Sequence, residues 1–277
     1  MKTMRLLAVV AMLLAAPSVQ AGPILFSSTS ANIAGITPTR DAFRTAVGGG
    51  TTAGANGSFG GLRREINWDG VPDALSAPNN LPANFFNVNS PRGVVFSTPG
   101  TGFEVSANAG VAPVDFGNIN ATYVGDFAAF SLQRLFTPIG SNVTDVSFFV
   151  PGTNTPATTS AFGVMFSDVD LGGSSLQFFD SLNNSLGVFA VPFLLGNETF
   201  EFLGVLFDSS LIGRVRITSG NMALGAGIND GGAIDVAVMD DFIYAEPQAA
   251  VPEPASLILF GTGAIAITAR MRRRARA

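Results

Sequence analysis

The stretch Arg214-Val-Arg-Ile-Thr218 alternates polar and apolar side chains, which is the period of a β-strand with one wet face and one buried face. The two arginines are expected to face solvent, and Val215 and Ile217 to face a core. Segments on either side carry a related signal, because short runs rich in Val, Ile, Phe and Thr end at Gly, Pro, Asn or Ser. The centre of the chain is therefore predicted to be β-structure.

The predicted strands are 93–97, 102–106, 143–150, 161–166, 175–179, 185–190, 199–203, 212–218 and 233–244. The segment 180–184 predicts a hairpin loop between two of them. About ten short strands with few helices predict an all-β fold, an antiparallel β-sandwich of jelly-roll type. A β-helix is the alternative architecture, but it requires a regular repeat that the sequence does not show. The 24 phenylalanines supply the bulk of the core.

One short N-terminal helix is predicted over 37–47. Thr37 can cap it, Pro38 takes the first helical position, and the glycines from Gly48 onward end it. The glycine-rich segment 48–61 is predicted to be a loop.

The charge distribution excludes several classes of function. The chain has no His, no Cys and a formal net charge of −5. Its one lysine is Lys2, and residues 22–250 hold eight arginines and nineteen acidic residues, a net charge of −11. Catalytic triads, thiolate chemistry, His-ligated metals and Schiff-base lysines are therefore excluded from this stretch, and its acidity argues against nucleic acid as a partner.

The N-terminus has the pattern of a signal peptide. Lys2 and Arg5 precede an apolar run of eleven residues, 6–16, and Val19 and Ala21 place small residues at −3 and −1 of a cleavage site. Residues 1–21 are predicted to be removed. An uncleaved anchor is the alternative, although eleven residues are too few to cross a bilayer.

The C-terminus has the pattern of a membrane tether. Pro252-Glu253-Pro254 precedes fifteen uncharged, mostly apolar residues, 255–269, and the arginine cluster 270–276 closes the chain. As a helix the apolar stretch is about 22 Å long, a little short of a normal membrane span. The arginines would stay cytoplasmic and leave the acidic domain outside. An interfacial helix is the alternative, but the stretch has no polar face.

This tail resembles the PEP-CTERM sorting signal of Gram-negative bacteria. The resemblance rests on Pro252, Glu253 and Pro254, on the hydrophobic helix, and on four basic residues of the final cluster: Arg270, Arg272, Arg273 and Arg274. It implies processing by an exosortase, a membrane transpeptidase, and an association with exopolysaccharide and biofilm. The expected organisation is a signal peptide at 1–21, a secreted β-sandwich domain at 22–247 and a sorting tail at 248–277.

Two pairs of aspartates are candidate calcium sites. Asp168 and Asp170 follow a predicted strand, and their alternation puts both carboxylates on one side of an extended chain. Asp230 and Asp235 precede the pair Asp240-Asp241 in the chain. Asp240 and Asp241 point to opposite faces of the last strand, so one of this pair points inward, where a carboxylate needs a cation or several donors. Oxygen ligands of this kind suit Ca²⁺. The alternative is that these aspartates only shape turns through local hydrogen bonds.

Three further features have weaker signals. Trp68 and Asp69 lie in a predicted loop, where the indole could stack on a sugar, although a lone tryptophan is more often a core residue. Arg63-Arg64-Glu65 is interpreted as a solvated strand end. A carboxylate pair could also perform glycoside chemistry, but no supporting constellation accompanies one here.

The middle of the chain also resembles a group of uncharacterised secreted bacterial proteins that carry the same tail. The resembling stretches are 66–73, 92–100, 139–145, 214–220 and 240–244. The group implies no activity, although the Asp240-Asp241 pair is similar to a recurring feature of carbohydrate-binding jelly rolls. The main hypothesis is a non-enzymatic surface or matrix protein that binds glycan and holds structural calcium. The alternatives are a carboxylate-based glycosidase or lyase acting on exopolysaccharide and a purely structural biofilm component.

Overall fold

A computed structural model describes residues 22–52 and 60–249 of the chain. The strands are β1 (Ile24–Ser30), β2 (Arg63–Ile66), β3 (Val94–Ser97), β4 (Gly102–Val105), β5 (Phe136–Ile139), β6 (Val143–Phe148), β7 (Ala157–Thr158), β8 (Ala161–Ser167), β9 (Ser175–Phe179), β10 (Ser185–Ala190), β11 (Phe200–Leu206), β12 (Arg214–Thr218), β13 (Val238–Ala245) and β14 (Gln248–Ala249). The helices are α1 (Ile33–Val47) and α2 (Phe85–Val88), and 3₁₀ turns cover Asp73–Leu75, Val114–Phe116 and Ala121–Gly125.

Several predictions fall outside the described residues. These are the signal peptide with Val19 and Ala21, residues 53–59 of the glycine-rich loop, and the tail from 250 onward with its motif, its hydrophobic helix and its arginine cluster. In the ranges that the structure does describe, no helix is long and apolar enough to cross a membrane.

The strands form two main antiparallel sheets. The first sheet has the order β1-β11-β8-β13-β5-β4, with β2 also pairing with β13, and the second has the order β10-β9-β12-β6-β3. The short strands β7 and β14 pair with each other. Apolar side chains from both sheets pack into one core, to which Val164 contributes from the first sheet and Val215 from the second. The predicted all-β, antiparallel class is confirmed, and the arrangement is consistent with a β-sandwich.

The alternation that predicted β12 is present in the structure. Val215 and Ile217 are fully buried, whereas Arg214 and Arg216 lie on the outer face of the second sheet. Both arginines bind Asp145 on the neighbouring strand β6, with Arg216 directly opposite it in the register. The hairpin loop at 180–184 is also confirmed, since it joins β9 to the antiparallel strand β10.

Helix α1 covers the outer face of the first sheet and begins earlier than predicted. Its first turn is capped by Asn32, whose side chain accepts a hydrogen bond from the backbone N–H of Gly35 at 3.0 Å. Thr37 is therefore not the cap, and Pro38 lies inside the helix. The helix packs Phe43 onto a pair of facing glycines, Gly163 on β8 and Gly204 on β11, where the absence of side chains leaves room for the ring.

The prediction of a solvated end at Arg63-Arg64-Glu65 is wrong for two of its three residues. Arg63 and Glu65 are buried, with 0% and 2% of their surface exposed. The Arg63 guanidinium donates to the backbone carbonyls of Arg44, Gly48, Gly50 and Thr52, which lie at and beyond the end of α1. The pairing of β2 with β13 brings Arg63 beneath this helix end. There its guanidinium donates to the Arg44 carbonyl, which also accepts from the N–H of Gly48, and to three carbonyls beyond the helix.

Candidate functional site

Asp168 and Asp170 lie directly after β8, at one end of the first sheet. Both are buried, with 0% and 8% of their surface exposed. The expected extended alternation is absent, because Asp168 has φ = 68°, in the left-handed region that non-glycine residues rarely adopt. The Asp170 carboxylate accepts a hydrogen bond from the backbone N–H of Gly196 at 2.8 Å.

The Asp168 carboxylate is unusual in having no hydrogen-bond donor. Neither of its oxygens has a partner among the residues that the structure describes. Burial is the main cause that raises the pKa of Asp168 to about 9, and nearby acidic groups, Asp230 first, raise it further. A buried carboxyl group without donors is costly when charged, so the side chain is poised to keep a proton or to bind a cation.

Four other acidic residues gather around this pair. They are Asp126 after the 3₁₀ turn Ala121–Gly125, Glu201 on β11, and Asp230 and Asp235 in the segment before β13. Asp230 and Asp235 precede the Asp240-Asp241 pair in the sequence, but the fold places them with Asp168. Asp126 and Glu201 are additions that the sequence analysis missed. The six side chains are called the carboxylate cluster below.

Hydrogen bonds hold this cluster around the segment that follows β8. The two Asp235 oxygens accept from the backbone N–H groups of Asp170 at 3.2 Å and Leu171 at 3.3 Å. Glu201 accepts from the N–H of Val169 at 3.1 Å. Burial raises the pKa of Glu201 to about 8 and that of Asp235 to about 6, despite these bonds.

Asp240 and Asp241 lie at a β-bulge in β13. The pairing with β8 shifts between Met239 and Phe242, so that these two residues, three positions apart, both face the core between the sheets. The bulge leaves both aspartates buried, at 0% and 2% exposure, rather than sending one outward.

The Asp240 carboxylate fastens a loop to the first sheet. It accepts hydrogen bonds from the backbone N–H groups of Phe130 at 2.7 Å and Ser131 at 2.9 Å, and from the Ser131 hydroxyl at 2.7 Å. Burial and the neighbouring charge of Asp241 raise the pKa of Asp240 above its usual range. These donors occupy the oxygens that calcium would need, and calcium at this pair stays a prediction.

Asp241 belongs to a buried network of arginines and acids. Its carboxylate lies 3.9 Å from the guanidinium of Arg40 and 3.8 Å from that of Arg44, both on α1. Arg44 also pairs with Glu65 at 2.5 Å. Burial raises the pKa of Asp241 to about 6, and the positive charge of Arg44 opposes this rise. The network ties α1 to the first sheet, which is a structural role.

Trp68 is a core residue, so the suggestion that it stacks on a sugar is corrected. Only 1% of its surface is exposed, and its ring stacks on Phe136 with centroids 4.1 Å apart. The indole N–H donates to the backbone carbonyl of Asp240 at 2.7 Å. Asp69, the other residue of this weak prediction, is half-buried and accepts a hydrogen bond from Asn67 at 2.9 Å. One ring face and the polar edge of Trp68 are therefore engaged within the fold, and the side chain as a whole is buried.

Two shallow cavities lie away from all of these residues. One, of about 140 Å³, is lined by residues that include Leu62, Ser210 and Glu246. The other, of about 220 Å³, lies beside the ends of β6, β9 and β12 in the second sheet and is lined in part by Phe149, Pro156, Asn183 and Arg214. The second is lined by both apolar and polar groups, and its volume is below the range of about 300–1,000 Å³ that is usual for small-ligand sites.

The sorting motif predicted at the C-terminus is found by comparison with known families. Residues 250–274 match the family described as the PEP-CTERM protein-sorting motif. The chain carries a PEP-CTERM motif. The match includes every motif residue named above, from Pro252 to Arg274. The motif marks the protein as exported, sorted and a substrate of an exosortase.

The β-rich part was compared with curated proteins and with solved structures. No curated protein matches the chain. A mutant of the family 29 carbohydrate-binding module CBM29-2 is 10% identical with a TM-score of 0.24, over 44% of this chain and 75% of that one. The enzymatically active domain of tailspike protein 4 of bacteriophage CBA120 is 14% identical with a TM-score of 0.23, over 60% of this chain and 20% of that one. Likenesses this low establish neither a fold nor a function for the chain.

Proposed function

We propose that this PEP-CTERM protein is a non-enzymatic component of the cell surface or exopolysaccharide matrix of a Gram-negative bacterium, and that its β-domain binds glycan. The observation that carries the proposal is the sorting motif at 250–274 behind an acidic β-rich domain. In this proposal the signal peptide is removed after Ala21, and residues 255–269 form a membrane helix that an exosortase then processes. The partners are the exosortase, the membrane and an extracellular polysaccharide.

The proposed glycan surface is the outer face of the second sheet. Gln177, Arg216 and Asp145 lie side by side on three neighbouring strands of this face. The cavity of about 220 Å³ adjoins it at Arg214 and Asn183. Phe149 and Pro156 could pack against the apolar face of a sugar ring, while the arginine and amide groups bind its hydroxyls. A cavity of this size suits one sugar unit at a time.

The positions of the paired carboxylates favour binding over catalysis. The carboxylates of Asp168 and Asp240 are buried, and those of Asp240 and Asp241 engage protein groups. Glycoside chemistry needs two carboxylates that flank an accessible bond. An enzyme acting on exopolysaccharide is the alternative, and a purely structural biofilm component is the second alternative.

The jelly-roll type of the sandwich is part of the same proposal. Four strands of the first sheet, in the order β5-β13-β8-β11, face four of the second, in the order β6-β12-β9-β10. Along the chain, connections between these strands pass from one sheet to the other except between β9 and β10, which form a hairpin. This order corresponds to the two nested Greek keys of a jelly roll.

The test is a glycan array probed with the full chain purified in detergent, with and without Ca²⁺. Retention on a polysaccharide that is lost in Arg214→Ala but kept in Arg64→Ala would support the proposed surface. Arg64 is the matched control, because it is also half-buried and paired with an acid but lies on the first sheet. No retention on any glycan would contradict the binding function.

The enzymatic alternative has its own measurement. Turnover of exopolysaccharide that disappears in Asp168→Asn or Asp240→Asn would favour a carboxylate-based glycosidase or lyase. If the chain neither turns over nor retains any polysaccharide, the structural alternative is favoured.

A further inference from the structure

Four oxygen atoms of the carboxylate cluster defined above accept no hydrogen bond from the described residues. Both oxygens of Asp168, Oε1 of Glu201 and Oδ2 of Asp126 are buried and have no hydrogen-bond partner among the described residues. Asp168 is the extreme case, because none of its surface is exposed. Unpartnered buried oxygens are rare in folded proteins, so their concentration here requires a physical explanation.

The charged groups that act most strongly on Asp168 are all acidic. The main electrostatic influences on it are four acidic side chains, Asp230, Asp170, Asp126 and Glu201. This differs from Asp241, another buried carboxylate of the predicted pairs, which has two arginines within 4 Å. The fold therefore neutralises one buried acid with arginine and leaves the other among acids.

The backbone also holds Asp168 in a costly conformation. Its φ of 68° lies in the left-handed region, and its N–H is fixed to the carbonyl of Thr199 at 3.0 Å. Glu201 is held beside it, since its strand β11 pairs with β8 and its Oε2 accepts from the N–H of Val169. The unpartnered side chain thus has a defined position inside the cluster.

We infer that the carboxylate cluster binds a calcium ion, with Asp168 as the central ligand and further oxygens from Asp170, Asp230 and the surrounding backbone. Calcium takes six to eight hard oxygen ligands, and the cluster offers carboxylate and carbonyl oxygens. Within 22–52 and 60–249, no three acidic side chains already stand close enough to hold a metal ion together. Binding must therefore turn at least one of the neighbouring carboxylates toward Asp168.

This inference goes beyond the proposed function: it develops the calcium hypothesis of the sequence and does not depend on glycan binding. The test is thermal unfolding of the full chain in detergent, followed by Trp68 fluorescence, in EDTA and then with CaCl₂ or MgCl₂. At about 100 times its dissociation constant, calcium should raise the melting temperature by roughly 5–11 °C, because only the folded state holds the site. Magnesium should raise it less, since it requires a tighter octahedral shell.

Two variants locate the ion. Asp168→Asn should fold in EDTA at least as stably as the wild type, because the amide avoids burying a charge, and it should lose the calcium shift. Asp240→Asn, the matched control, should lower the melting temperature with or without calcium and keep the shift. If Asp168→Asn does not fold, Asp230→Asn replaces it and should raise the calcium concentration needed for half of the shift.

Three results would overturn the inference. The first is a wild-type melting temperature that calcium does not change. The second is a shift that survives in Asp168→Asn and Asp230→Asn, and the third is an equal shift with magnesium. The glycan array measures glycan binding and the melting experiment measures calcium binding, so failure of the one and failure of the other are distinguishable.

Discussion

Replacing Arg63 by methionine should destabilise the protein strongly, whereas the same change at the next residue should not. Arg63 is buried, its guanidinium donates to four backbone carbonyls, and its Nε lies 2.7 Å from a Glu65 oxygen. Arg64 is only partly buried and forms one bidentate pair with Glu246, at 2.7 and 2.8 Å. The two positions are adjacent in the sequence and have the same chemistry, so they form a matched pair.

The expected magnitudes follow from these contacts. Methionine recovers most of the apolar contact of Arg63 but removes the donor from the carbonyls of Gly48, Gly50 and Thr52 and the charged partner from one oxygen of the buried Glu65. Breaking a buried charged pair of this kind costs about 3–5 kcal/mol. A partly exposed pair such as that of Arg64 contributes at most about 1 kcal/mol. For a domain of this size the corresponding falls in melting temperature are roughly 6–20 °C and at most about 4 °C.

The assay is urea unfolding followed by the fluorescence of Trp68, the single tryptophan of the chain, which is buried in the folded state. Free energies of unfolding come from linear extrapolation, and an unchanged slope would show that both variants unfold to a similar state. If Arg63→Met and Arg64→Met agree within about 0.5 kcal/mol, the buried role assigned to Arg63 is refuted.

Three further predictions test other parts of the fold. Gly204→Ala should cost about 1–3 kcal/mol, because a Cβ there would lie 2.7 Å from the ring of Phe43, and the double variant with Phe43→Leu should recover part of this in the same urea assay. Asn32→Ala should cost about 1 kcal/mol through loss of the α1 cap, and Asn32→Asp, which keeps the acceptor, should cost less; equal losses would contradict the capping role. Burial raises the pKa of Glu104, so this side chain binds its proton more tightly in the folded protein than in the unfolded chain. The protein therefore loses stability as the pH rises from about 4.3, the ordinary pKa of glutamate, through the raised pKa. Glu104→Gln should therefore match the wild type near pH 4 and exceed its stability at pH 8, and a constant difference across this range would argue against the raised pKa.

The strands with a simple alternation were predictable because their two faces meet different surroundings. β12 is the best case, since its apolar residues enter the core and its arginines remain on the outer face. β8 and β11 are different, because the second sheet covers one face of each and α1 covers the other. The alternation of polar and apolar residues therefore predicts that Glu201 faces solvent, yet it is fully buried. No local sequence pattern indicates that both faces of these strands are covered.

The sequence predicted that aspartates form the candidate site, but not which of them the fold brings together. The sequence identified Asp168 and Asp170 as candidates and noted Asp230 and Asp235, but it associated the latter two with Asp240. The antiparallel pairing of β8, β11 and β13 brings together Asp168, Glu201 and the segment before β13. The bulge at Asp240 then directs that carboxylate to Ser131 instead. Strand register and bulges depend on partners far along the chain, so local patterns do not reveal them.

The sequence by itself determined the β-rich class, the charge segregation and the PEP-CTERM tail, because these depend on local composition, periodicity and a contiguous motif. Only the tertiary structure decided which polar groups are buried and what neutralises them. It placed Arg63 under a helix end, Trp68 in the core, and Asp168 among other acids. These outcomes depend on which strands pair and which faces are covered. Folding decides which groups lie within a few ångströms of a buried charge, and those groups determine whether the charge is neutralised.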